Sequence, residues 1–175
     1  MLNVDFSQLR FLIVDDNAHM RRVVRTLIHG FGAREVTEAE DGATGLEIFQ
    51  STLPDVVVTD WVMPIFSGIE LTRMMRSETS SANPTVPIIM LTGHSEKKCV
   101  TEARDAGVTE FLCKPISAKA LYARVANCLV NPRPFIKAAA FYGPDRRRFS
   151  NPLYKGAERR ANAPAQTDDA EANIS

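Results

Sequence analysis

The sequence predicts an α/β chain, a five-stranded parallel sheet wound on both faces by helices. Four short apolar runs alternate with stretches of helical periodicity, the pattern of buried parallel strands joined by crossover helices. The runs are short and rich in branched side chains, as in Leu12-Ile13-Val14, Val56-Val57-Val58 and Ile88-Ile89-Met90-Leu91. Glycine or proline marks the ends of most of the helical stretches, where a helix gives way to the next strand.

The elements follow in order. A strand at Arg10–Val14 leads to a helix at Ala18–Phe31, stopped near Gly30 and Gly32. The second strand is Glu35–Ala39, followed by the turn Asp41-Gly42 and a helix over Ala43–Ser51 that Pro54 terminates. Asp55–Thr59 forms the third strand, and Ile69–Glu78 the third helix after a loop carrying Pro64 and Gly68. The fourth strand is Val86–Leu91. The helix after it starts at a Ser95 cap and ends at Gly107, which suits a left-handed residue just past a helix end. Thr109–Cys113 is the fifth strand, and the last helix runs from after Ser117 to Val130, before Pro132. Five βα units in this order make a flavodoxin-like doubly wound sheet.

In such a sheet ligands collect at the carboxyl ends of the strands. Asp15 and Asp16 follow the first apolar run, Asp60 the third, Thr92 the fourth and Lys114 the fifth. The fold therefore brings three carboxylates, a hydroxyl and an ammonium to one edge. Three adjacent carboxylates repel and need a cation, and an all-oxygen site that retains water suits Mg²⁺. With the cation in place, one carboxylate can attack a phosphoryl group while Thr92 and Lys114 hold its oxygens. The bland alternative is a set of solvated strand ends; it serves for one aspartate and poorly for the whole set.

Four motifs carry a resemblance: Val14-Asp15-Asp16, Thr59-Asp60-Trp61-Val62-Met63-Pro64 with Gly68, Leu91-Thr92-Gly93, and Cys113-Lys114-Pro115. Over about residues 7–130 the chain resembles the receiver domain of two-component response regulators, of the CheY-like class. The resemblance implies that Asp60 is the phosphoacceptor, served by a histidine kinase or phosphotransfer protein. It implies Mg²⁺ on Asp16, Asp60 and the Val62 carbonyl, with Asp15 acting mainly through water. Thr92 and Lys114 would contact the acyl phosphate, and the Lys114–Pro115 bond is expected to be cis. Phe111 stands at the family's switch position. With Lys97, Lys119 and Tyr122 flanking it, the face of the fourth helix, fifth strand and fifth helix is the expected protein-docking surface. Val62 and His94 occupy two positions that tune phosphate lifetime in the family.

Composition bounds the rest. The chain has 175 residues, 45% of them hydrophobic, enough for one domain with an extension. No run approaches a membrane span, and the first residues lack the order of a signal peptide. Cys99, Cys113 and Cys128 have no metal-ligand spacing and read as small buried side chains in a reduced cytoplasm. Arg21, Arg22 and Arg25 read as a solvated helix face, Met74-Met75 as core, and Trp61 as a partly exposed loop aromatic.

The net charge of zero hides three unlike segments. Residues 1–130 carry 13 Lys+Arg and 16 Asp+Glu (−3), residues 131–163 carry 8 and 2 (+6), and residues 164–175 carry 0 and 3 (−3). These define a receiver domain at 1–130, an arginine-rich extension at 131–163 and an acidic tail at 164–175 expected to be disordered. The extension repeats a pattern: Tyr142-Gly143-Pro144-Asp145-Arg146-Arg147 is echoed 13 residues later by Lys155-Gly156-Ala157-Glu158-Arg159-Arg160, with Tyr154 just before. Arginine pairs with guanine O6 and N7, stacks on bases or clamps phosphate. An ionised Asp or Glu only accepts hydrogen bonds, so it fits the guanine N1–H and N2–H edge and repels phosphate. Two copies suit a ligand with two equivalent halves.

Those features fit cyclic di-GMP, and over about Arg133–Arg160 the extension resembles that of the Cle group, CheY-like c-di-GMP effectors acting on flagellar motors. The residues this selects are Asp145, Arg146, Arg147, Glu158, Arg159 and Arg160, with Arg148, Tyr142 and Tyr154 behind them. The paired motifs of PilZ domains are absent in the right context. A loosely binding basic tail and an RNA-binding tail are the other readings. Before ligand arrives, residues 131–163 are expected to be largely disordered, since they hold no periodic apolar face for a core. No helix-turn-helix pattern follows residue 130, so DNA is not the expected output. The sequence reading is therefore a cytoplasmic adaptor, not an enzyme, that docks on a flagellar motor switch protein. The competing reading is a phosphotransfer relay or phosphate sink with an incidental tail.

Overall fold

Every residue of β3, Val56–Asp60, is buried, which puts this strand at the centre of the sheet. β1 (Arg10–Val14) and β4 (Ile88–Thr92) pair on either side of it, and β2 (Glu35–Ala39) and β5 (Glu110–Cys113) close the edges. All pairings are parallel, in the order β2-β1-β3-β4-β5. The helices are α1 (Ala18–Gly30), α2 (Gly42–Thr52), α3 (Gly68–Met75), α4 (Lys97–Ala106) and α5 (Ala118–Val130). This computed structural model describes residues 4–93, 97–138 and 141–145.

Alternation along the strands builds two cores. Phe11, Ile13, Val56, Val58, Ile89, Leu91 and Leu112 pack with Val24 and Ile28 of α1 and Leu121 and Val125 of α5. Leu12, Val14, Val57 and Ile88 pack on the other face with Phe49 of α2 and Leu71 and Met75 of α3. The starts of α1, α2, α3 and α5 are each fixed by a side chain that accepts from the first turn. Asn17 accepts from the His19 and Met20 N–H groups, Asp41 from Thr44, and Ser117 from Ala120. Ser67 and Glu70 form a reciprocal capping box. Gly107 has φ +97, as expected of a left-handed residue after α4.

Two expectations are corrected here. α3 ends at Met75 and not at Glu78, because Arg76 turns inward. Arg76 is 4% exposed, and its guanidinium donates from Nε to the Gly107 carbonyl (2.9 Å), from Nη1 to the Pro84 carbonyl (2.9 Å) and from Nη2 to Thr109 Oγ1 (3.3 Å). Burial pulls its pKa down to about 9, still above neutral, so these oxygens meet a full charge.

The second correction concerns the stretch after residue 130, where two short strands are present that the sequence reading did not foresee. β6 (Phe135–Ala138) and β7 (Phe141–Pro144) pair antiparallel as a hairpin. The hairpin has no core of its own and borrows the domain's surface. The Phe135 ring lies over Arg76, 5.1 Å from the guanidinium carbon to the centroid, and stacks at a tilt on Tyr142. Gly143 packs so closely that a Cβ there would come within 3.0 Å of Gly107 Cα. Arg133 reaches Glu110 (3.4 Å) and Lys137 pairs with Glu78 (2.7 Å). Glu110 is itself buried and also takes Arg124 and Asn127 of α5 at 3.1 Å each, so β5, α5 and the hairpin root meet on one carboxylate. The hairpin thus sits at the α4–β5 turn, the edge of the sheet opposite the strand exits.

Candidate functional site

The carboxyl edge of the sheet gathers the residues expected there. Asp15 and Asp16 leave β1, Asp60 closes β3, Thr92 closes β4 and Lys114 follows β5. One carboxylate oxygen from each of Asp15, Asp16 and Asp60 lies within 4.8 Å of the others. Asp15 and Asp60 are buried and Asp16 is exposed, so the pocket opens on the Asp16 side. Lys114 bridges the two buried acids, with Nζ 2.7 Å from Asp60 Oδ1 and 3.2 Å from Asp15 Oδ2. Its backbone N–H donates to the Thr92 carbonyl at 2.7 Å, which ties the hydroxyl-bearing strand to the lysine loop. The Lys114–Pro115 peptide is cis, as expected.

Burial raises the pKa of Asp15; the Asn17 N–H opposes this, the Asp60 charge adds to it and Lys114 opposes it. For Lys114 burial works against the ammonium, but the hydrogen bond and charge of Asp60, then of Asp15, outweigh it and hold its pKa above the ordinary value. The lysine is therefore charged at neutral pH, aimed between two acids. Three converging carboxylates with a single lysine leave surplus negative charge, and the donor set is all oxygen. It is the acidic triad typical of Mg²⁺-binding receiver sites, and these residues fit the ion.

The loop after β3 is held against the site. The Gly68 N–H donates to the Trp61 carbonyl at 2.9 Å, and a Cβ on Gly68 would collide with the Asp60 carbonyl. Only glycine allows this approach. Met63 points into the core and Val62 outward, 64% exposed. Trp61 is half-buried against the cluster of Ile69, Met90 and Ala103.

The expected docking face is not brought together as foreseen. Phe111 packs with Ile69, Met90 and α4, whereas Tyr122 packs on Phe6 and Phe31 beside α1, with ring centroids 5.5 and 5.3 Å away. The two aromatics lie on opposite faces of the sheet. Along β5, Leu112 enters the core under α1 and α5, so its neighbour Phe111 must face the other way. Lys119 is exposed on α5, and Lys97 begins α4.

Of the tail residues, Tyr142 belongs to β7, and Asp145 follows it, donating its N–H to the Pro134 carbonyl at 2.8 Å. Arg146, Arg147, Arg148, Tyr154, Glu158, Arg159 and Arg160 lie outside the described residues, as do His94 and Ser95. One supporting residue escaped the sequence reading. Arg21, read there as solvated, donates from Nη1 to the Asp15 carbonyl at 2.7 Å and pairs with Glu38, which Arg25 also holds. The one available signal was its position six residues after Asp15, at the end of the first turn of α1.

Among the described residues no helix is long and apolar enough to cross a membrane. The chain is 35% identical over 117 residues to chemotaxis protein CheY of Pseudomonas aeruginosa, covering 67% of this chain and 93% of that protein. It is 36% identical over 115 residues to CheY-3 of Vibrio cholerae, covering 66% and 87%. Its fold superposes on chemotaxis response regulator CheY4 of V. cholerae with a TM-score of 0.62 at 29% identity, covering 67% and 95%. A receiver domain protein of Clostridium thermocellum gives 0.63 at 31%, covering 70% and 94%. The response regulator receiver domain profile matches residues 11–126, the stretch that forms this sheet and its acidic pocket. Sheet order, pocket and profile agree, and the chain belongs to the response regulator receiver family.

Proposed function

We propose that this protein is a single-receiver response regulator that accepts a phosphoryl group on Asp60, reads c-di-GMP through its arginine-rich extension, and signals by docking on a flagellar motor switch protein. Receivers of this class are signalling proteins, not enzymes, and imply a histidine kinase partner. The observation that carries the phosphoacceptor assignment is Asp60 itself: buried, at a strand exit, 2.7 Å from Lys114. In transfer from a phosphohistidine, an Asp60 carboxylate oxygen forms the new bond to phosphorus as the P–N bond breaks, and the imidazole leaves with the electron pair. Lys114 moves its hydrogen bond from the carboxylate to a phosphoryl oxygen, and Thr92, on the adjacent strand, supplies its hydroxyl to another. Mg²⁺, when bound by Asp15, Asp16, Asp60 and the Val62 carbonyl, supplies positive charge against the phosphoryl oxygens. Acetyl phosphate with Mg²⁺ is expected to label the wild type and leave Asp60→Asn unlabelled; equal labelling of both would remove the assignment.

The motor assignment rests on the chemotaxis relatives and on the resemblance of residues 133–160 to the Cle group. The hairpin supports an extension that begins from a fixed point, since Asp145 is tied to Pro134 and Arg133 before the arginines start. Calorimetric titration tests the ligand. Arg147→Ala and Arg160→Ala are each expected to weaken c-di-GMP binding by about 1–3 kcal/mol, the worth of a bidentate guanine contact. Asp145→Asn should also weaken it, although it makes the segment more basic. Stronger binding by that variant, with c-di-AMP equal to c-di-GMP, would mean an electrostatic sponge. Deleting residues 146–175, which keeps the hairpin, separates an adaptor from a phosphate sink: a sink keeps its function.

A further inference from the structure

Among the described residues, hydrogen bonds and ion pairs hold the carboxylates of Asp15 and Asp60, and none holds that of the exposed Asp16. The direction of Asp16 is therefore set by its backbone. The peptide group that enters Asp16 carries the Asp15 carbonyl, and Arg21 Nη1 donates to that oxygen at 2.7 Å. A peptide group is planar, so a donor fixed on its oxygen fixes the plane from which the Asp16 side chain departs. At its other end Asp15 donates its N–H to the Ala39 carbonyl of β2 at 3.2 Å. The segment that bears the metal-ligand candidates is thus tied to β2 on one side and to α1 on the other.

Arg21 reaches back to this loop because helical side chains tilt toward the N-terminus of their helix. It is itself braced. Its Nε lies 3.3 Å from Glu38 Oε2 on β2, Arg25 Nη1 lies 2.7 Å from the other oxygen of Glu38, and the Arg21 side chain is only 16% exposed. One planar fork thus spans an acceptor on β2 and the carbonyl beside Asp16, a reach that a single ammonium lacks. The sign of the charge does not explain the placement, since a cation beside a Mg²⁺ site repels the ion. What the arginine gives the site is direction. We propose that Arg21, braced by Glu38, is a positioning residue that presets Asp16 for the divalent cation, a reading that rests on the acidic triad holding Mg²⁺. Without the clamp the Asp15–Asp16 peptide turns more freely, and capture of the ion must order a carboxylate that was spread over more directions.

The test is Mg²⁺ titration of the full-length protein, by calorimetry and by the emission of Trp61, the chain's single tryptophan and the neighbour of Asp60. Arg21→Met keeps the stem and removes the fork, and Arg22→Met makes the same charge change at an exposed neighbour. The Mg²⁺ Kd should rise about tenfold for Arg21→Met, the lower end for losing a group that orients a metal ligand. For Arg22→Met it should stay at or below the wild-type value. Arg21→Lys keeps the charge and should recover only part of the affinity. Glu38→Ala should weaken binding in the same direction and add nothing to Arg21→Met, because both act through one clamp. Equal Kd values for Arg21→Met and Arg22→Met would overturn the proposal. So would wild-type affinity in Arg21→Lys, which would make charge and not direction the cause. If Arg21→Met fails to melt cooperatively in EDTA, Arg21→Lys and Glu38→Ala carry the same decision. No Mg²⁺ response in the wild type would remove the metal site itself and this proposal with it, a result distinct from a response that Arg21→Met retains.

Discussion

Arg76→Ala is expected to cost the folded protein about 3 kcal/mol, in the range for breaking up a buried charge's set of partners. No carboxylate pairs with Arg76 among the described residues; its charge is met by the Gly107 and Pro84 carbonyls, the Thr109 hydroxyl and the face of Phe135. Truncation leaves both carbonyls without that donor, opens a cavity at the α3–α4 side, and removes the surface on which the hairpin rests. Arg76→Lys should recover only part of the loss, since one ammonium cannot span three acceptors fixed by a planar fork. Phe135→Ala should cost about 1 kcal/mol, the worth of a half-buried ring over a cation. Urea unfolding with a constant slope measures all three. An Arg76→Ala protein within about 0.5 kcal/mol of wild type would mean that the guanidinium is dispensable to the fold. A protein cut at residue 130 keeps all three acceptors of Arg76 and loses the Phe135 ring, so it should show the smaller loss, of about 1 kcal/mol.

That boundary shows where the sequence was legible. The central strands could be read because β3 and β4 are runs of apolar, mostly branched residues buried on both faces, and the site because its polar residues stand at the ends of the apolar runs. Asp15, Asp16, Asp60, Thr92 and Lys114 are recognisable without any contact being known. The hairpin was not legible, since its stability comes from residues far along the chain. Phe135 gains its place from Arg76, Gly143 from Gly107, and Arg133 from Glu110. None of these pairings leaves a periodic signal, and a lone arginine in a helix end looks like any solvated charge. The separation of Phe111 from Tyr122 was lost for a different reason. Proximity in the βα unit suggested one face, but a strand turns successive side chains to opposite sides, and α5 covers the side that Phe111 does not face.

Asp15→Asn is expected to stabilise the protein in EDTA and to destabilise it, relative to wild type, in Mg²⁺. Burial raises the Asp15 pKa above its ordinary 3.8, so ionising this carboxyl works against the fold. The cost is fully present above the folded-state pKa and disappears as pH falls below the unfolded value. At pH 7 without metal, asparagine removes the buried charge and its repulsion by Asp60, keeps an acceptor for the Asn17 N–H, and leaves Lys114 paired with Asp60. A gain of about 1 kcal/mol, or about 2–4 °C in melting temperature, is the expected size. The gain should shrink as pH approaches 4. Magnesium reverses the order, because the site that costs stability when empty of positive charge is the one that holds the ion. Wild type at one hundred times its Kd should gain about 2.7 kcal/mol by linkage, and a variant with one carboxylate fewer should gain far less. Thermal melts of both proteins, with EDTA and with Mg²⁺ at pH 7, give four temperatures whose rank decides the matter. If Asp15→Asn melts lower in both conditions, the Asp15–Lys114 ion pair outweighs the burial of the carboxylate, and the acid is held in place by its lysine even without the metal.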